Sequence, residues 1–134
     1  MGNEGNQATL TMLNEQKIGF VTEAEVKNAR AEGKRREVAG LRCVAEELNR
    51  EINRLTEAIL QFRRPDAPDP MVEGRLTAMT RTLESHQARL GRVTEEIATA
   101  ITDAETLQSA ADAAKDSAQE TRALIVECMN AMGL

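Results

Sequence analysis

From Pro70 to Met132 a small or apolar residue recurs in alternating steps of three and four without losing phase. The series is Val72, Leu76, Met79, Leu83, His86, Leu90, Val93, Ile97, Ala100, Ala104, Leu107, Ala111, Ala114, Ala118, Thr121, Ile125, Cys128 and Met132. This is a heptad seam, and it predicts one helix over 70–132, about 90 Å long at 1.5 Å per residue.

A second helix is predicted over 22–63. Its phase is clean from Val38 onward, through Leu41, Ala45, Leu48, Ile52, Leu55, Ile59 and Phe62. The earlier part holds few seam residues and carries Lys27, Lys34, Gly33 and Gly40. Its start has a full signature: Thr22 as cap, Glu25 completing a capping box, and Val21 with Val26 as a hydrophobic staple. Between the two helices, residues 64–69 with Pro65 and Pro68 form a proline-rich turn, because proline cannot continue the first helix and pushes its predecessor to extended geometry. Asp69 then caps the second helix, with Pro70 at its first position.

Residues 1–21 read as an N-terminal arm. The first eight are rich in Gly and Asn and are expected to be mobile. Over 9–21 two readings stand: a short helix ending near Gly19, from the spacing of Leu10, Leu13 and Lys17, or extended chain, from Thr9, Thr11 and the alternation of Ile18 with Phe20. The short helix is preferred.

A loop this short makes the helices antiparallel neighbours. The register that pairs Ile59 with Val72, Leu48 with Leu83 and Val38 with Val93 also sets the bulky His86 against the small Ala45, and on that ground it is preferred to a slip of one heptad that sets Phe62 against Leu76. In that register a first helix beginning at Thr22 ends opposite Thr106 to Ser109, and the remainder of the second helix overhangs. The expected protein interface is therefore Ala111, Ala114, Ala118, Leu124, Ile125, Cys128, Met129 and Met132, an apolar stripe with no cover from its own chain. Either residues 9–21 fold back on it or another chain does. Alanine seams let a neighbour approach closely but bury little area each, so several helices meeting there are favoured. The fold class that follows is all-α: a long antiparallel, coiled-coil-like helical hairpin with an N-terminal arm, part of a helical bundle or oligomer.

Composition strengthens the helical reading. Apolar residues make up 41% of the chain, yet Phe20 and Phe62 are the only aromatics, whereas large globular cores recruit aromatics for their area. Alanine, the best helix former, is abundant, and the three prolines fall within six positions. A net charge of −5 with 29% charged residues predicts a soluble protein and disfavours nucleic acid as partner. No apolar run is long enough to predict membrane insertion. The N-terminus lacks the ordered basic, apolar and cleavage regions of a secretory signal, which is consistent with the cytoplasm or an assembled particle, leaves export by a signal-independent machine open, and does not fix the location.

Candidate chemistry is sparse. Cys43 and Cys128 fit neither zinc nor redox-pair spacing, and by phase Cys43 lies outside while Cys128 lies on the seam. His86 has no companion ligands at metal spacing and reads as a polar seam residue that sets register. The basic residues of the first helix, among them Lys34, Arg35 and Arg36, interleave with Glu32, Glu37, Glu46 and Glu47 and read as a solvated face. Adjacent pairs such as Glu95 and Glu96 point to different sides of a helix, whereas two catalytic carboxylates must flank one cleft. Gly33 and Gly40, seven apart, share one side of the first helix, where they can admit a close neighbour or permit a bend. No cofactor, metal, small-molecule substrate or enzymatic activity is expected.

The stretch PDAPDPMVEGRL resembles the proline-containing turn of secretion-needle subunits, without a supporting match at the C-terminus, and the hairpin as a whole is similar to helical connector and scaffold proteins of virus particles. No family is assigned from this. The expected function is a non-enzymatic structural or assembly protein, docking on copies of itself or on a larger protein assembly such as a virus particle. The alternative is an adaptor or chaperone that takes a client helix along the Ala-rich overhang.

Overall fold

The computed structural model describes residues 3–63 and 70–134. Two long helices, α1 (Asn3–Phe62) and α2 (Pro70–Ala131), pack against each other, and no strand occurs among the described residues. The fold is an all-α helical hairpin. The proline-rich turn at 64–69, with Asp69 as cap, lies outside the described residues. α2 opens at Pro70 as expected, where the missing proline N–H costs no helical bond.

The chain divides into two compact units: unit 1 is Met1–Arg35 with Thr102–Leu134, and unit 2 is Arg36–Ile101. Unit 2 packs large aliphatic side chains. Val38, Leu48, Ile59 and Val93 are buried with Ala100, and Leu41, Ile52, Leu55, Leu76, Leu83 and Leu90 are half-buried around them. His86 is also half-buried on this seam. On the outside, Arg50 pairs with Glu46 at 3.8 Å and Arg54 with Glu51 at 2.7 Å. Ion pairs so exposed add little stability.

Unit 1 has a different interior. Its buried residues are Leu13, Ala24 and Ala31 from α1, and Ala104, Ala111, Ala114, Ala118, Thr121 and Ile125 from α2. Small side chains dominate, so the helices can lie close and gain contact between backbones where large residues are lacking. Thr121 is the one buried polar residue among those described. Its hydroxyl donates to the Ser117 carbonyl at 2.9 Å within the same helix, which removes the penalty of burying it unpaired.

The first helix starts at Asn3, not at Thr22. Gly19 does not end it, and the extended alternative over 9–21 does not occur. The cause is visible in the pattern of cover: Leu10, Leu13, Lys17, Phe20, Ala24, Lys27, Ala31 and Lys34 are all buried or half-buried, in steps of three and four that continue into Val38. The seam passes straight through the supposed cap. Thr22 is exposed in mid-helix, and Val21 and Val26, the supposed staple, are exposed too. Three lysines occupy seam positions because a lysine can lay its methylenes along an apolar groove while its ammonium stays in water.

The register also differs in unit 1. Continued there, the expected pairing would set Asn6, Asn28 and Lys34 against Ile125, Asp103 and Ile97. Their observed cross-helix partners are Cys128, Gln108 and Asp103. Matching bulk at His86 weighs one layer, whereas the alanine layers between Ala24 and Ala118 tolerate several alignments and leave the choice to the polar flanks.

α2 closes with a capping motif. Gly133 has φ of 78°, its N–H donates to the Asn130 carbonyl, and the Leu134 N–H donates to the Met129 carbonyl, both at 3.0 Å. This is the Schellman arrangement, in which a left-handed residue lets the chain turn back on the last carbonyls. Glycine adopts that conformation without a steric penalty.

Candidate interaction surface

The eight residues assigned from sequence to a partner divide sharply in unit 1. Ala111, Ala114, Ala118 and Ile125 are buried within the chain, and Cys128 and Met132 are half-buried. Leu124 and Met129 are exposed, at 49% and 38%. The premise that this stripe lacks a cover is therefore wrong. Residues 3–35 of α1 supply the cover as continuous helix, where the sequence reading offered residues 9–21 folded back or a second chain. A client helix along the alanines would have to displace α1.

The polar contacts in unit 1 lock that cover in place. The Gln108 amide donates to Asn28 Oδ1 at 3.0 Å and to Asp112 Oδ1 at 3.1 Å, while its Oε1 accepts from the Arg35 guanidinium at 2.8 Å. Beside it, Lys34 Nζ lies 3.8 Å from Asp103 Oδ2. At the other end of unit 1, the Cys128 thiol donates to the Asn6 carbonyl at 3.3 Å. These groups use one another as partners across the helix pair, so their chemistry is that of a clamp. Each neutral bond is worth on the order of 1 kcal/mol.

A shallow groove of about 250 Å³ lies between the helices of unit 1, lined by Val21, Ala24, Glu25, Asn28, Lys115 and Ala118. It holds one carboxylate and one ammonium above an alanine floor. In unit 2 a more open depression is lined by Arg63, Leu76, Thr77, Thr80, Arg81 and Glu84. Among the described residues, no three His, Cys, Asp or Glu side chains come together to hold a metal ion, and no helix is long and apolar enough to cross a membrane. Cys43 and Cys128 are free thiols, the first exposed.

Internal packing in unit 1 leaves apolar side chains in solvent on the outer side of α1 as well as at Leu124, Val126 and Met129 of α2. Met12, Ile18 and Val26 are exposed at 50%, 65% and 43%. They sit away from the seam that Leu13, Ala24 and Ala31 bury. Sequence reasoning missed this face because it looked for the apolar stripe only in the seam phase. The signal was present as glycine: Gly5, Gly19 and Gly33 share the heptad position of Met12 and Val26. Compared with known proteins, the chain matches no family model, no curated protein and no solved structure, so the functional reading rests on its own residues.

Proposed function

We propose that the chain is a non-enzymatic structural or assembly protein that associates with copies of itself. The observation that carries this reading is apolar surface left in solvent although the seam is already closed: Met12, Ile18 and Val26 on α1 and Leu124, Val126 and Met129 on α2 are all exposed. Exposed apolar side chains lose contact with water when a neighbour covers them, which favours association. The adaptor reading loses its support, since the alanine stripe meant for a client helix is occupied by α1. Light-scattering mass after size exclusion, across a dilution series with and without reductant, tests the proposal. A mass above the 14.7 kDa of one chain that falls on dilution supports it, and 14.7 kDa at every concentration contradicts it.

A further inference from the structure

We propose that residues 3–35 of α1 form a releasable strap over the C-terminal part of α2, so that unit 1 opens as a body of its own while unit 2 stays folded. In a two-helix hairpin each layer of side chains touches only the layers beside it, as the units of a repeat protein do. Cooperativity therefore passes along the pair layer by layer and stops where the layers hold weakly. Such a stretch lies directly before the boundary of unit 1 at Arg35. The last four seam positions of α1 in this unit are Ala24, Lys27, Ala31 and Lys34, with no large apolar side chain among them. On α2, the seam positions Ala104, Leu107, Ala111, Ala114 and Ala118 include one, Leu107.

Burial holds the two units unequally. The buried residues of unit 2 are Val38, Leu48, Ile59, Val93 and Ala100, whereas those of unit 1 are mostly alanine, with Leu13 and Ile125 as the large exceptions. An alanine withdraws a single methyl group from water where a leucine withdraws a whole isobutyl group, and the free energy of burial follows the apolar area. Unit 1 leaves much of its bulk outside instead: Met12, Ile18, Val26, Leu124 and Val126 are exposed and gain little from closure. The bonds from Gln108 to Asn28 and from Arg35 to Gln108 are exposed as well. Water takes over each partner when the strap lifts, so the net contribution of each bond stays small. Lys34 and Asp103 are 37% and 48% exposed, and their attraction is weakened by solvent in the same way. Opening uncovers Ala104, Ala111, Ala114, Ala118 and Ile125, so the alanine face of α2 is accessible only in the released form.

Native-state amide hydrogen exchange on the full chain tests the proposal, at low urea and at two protein concentrations, so that protection gained by association is read separately. After correction for intrinsic rates, the amides of Phe20, Ala24, Ala111 and Ala114 should exchange about tenfold or more faster than those of Leu48, Ile52 and Leu90. Val93→Ala then weakens unit 2 alone. It should speed exchange at Leu48, Ile52 and Leu90 by about tenfold or more and leave Phe20, Ala24, Ala111 and Ala114 unchanged, because those amides are reached without unfolding unit 2. Equal protection in the two units of the parent, or a rise common to both units in Val93→Ala, would overturn the strap. Either result leaves the proposed self-association standing, since a hairpin that unfolds in one piece can still associate.

Discussion

Ala111→Leu separates a covered seam from an uncovered one by the sign of its effect. Ala111 is 1% exposed, and leucine brings three further carbons into a position already covered by its neighbours. Overpacking of this kind costs about 1–3 kcal/mol. For a chain of 134 residues, each kcal/mol moves the thermal midpoint by roughly 3–5 °C, which gives a fall of about 3–15 °C. If Ala111 instead faced solvent or an absent partner, the substitution would be close to neutral, because leucine and alanine differ by only about 0.2 kcal/mol in helix propensity. Ala113→Leu is the matched control, two residues away and exposed, and should leave the midpoint within about 1–2 °C. Thermal unfolding followed by far-UV circular dichroism reads both. An Ala111→Leu midpoint equal to or above that of Ala113→Leu would refute the internal cover of the alanine stripe.

Three further outcomes follow from the same structure. Thr22→Ala should be neutral or stabilising by up to about 0.6 kcal/mol in urea unfolding, since Thr22 is exposed inside a helix and alanine is the better helix former; a loss of about 1 kcal/mol would mean that Thr22 caps a helix after all. Gly133→Ala should weaken the C-terminal cap by about 1 kcal/mol, because φ of 78° suits glycine and strains alanine, and amide exchange in the last turn of α2 should rise while the rest of the chain is unaffected. Cys43, exposed, should react with a thiol reagent at the rate of a small free thiol, while Cys128, half-buried and bonded to the Asn6 carbonyl, should react several-fold more slowly.

How much of this was legible in the residues differs between the helices. For α2, every one of the eighteen seam positions read from sequence is buried or half-buried, because the phase is unbroken and most of the residues are apolar. For α1 the phase was legible from Val38, where valine, leucine and isoleucine mark it, and lost before that, where Lys17, Lys27 and Lys34 stand on the same line. A hydrophobicity pattern scores a lysine as exposed, yet its stem can serve the seam. The supposed capping box at Thr22 arose because threonine followed by glutamate three residues on is common on any charged helix surface. The wrong helix start then produced the overhang, and the overhang produced the interface list. Of that list, only Leu124 and Met129 present substantial apolar surface to solvent.

Amide hydrogen exchange along α1 tests most directly whether the helix runs unbroken through Thr22 and covers the C-terminal part of α2. The structure predicts slow exchange at Leu13, Phe20, Ala24 and Ala31, matched by slow exchange at Ala104, Ala111, Ala118 and Ile125, with these segments opening together as one cooperative unit. Rapid, unprotected exchange from residue 9 to 21, with protection beginning only after Thr22 and none over Ala111 to Ile125, would contradict it.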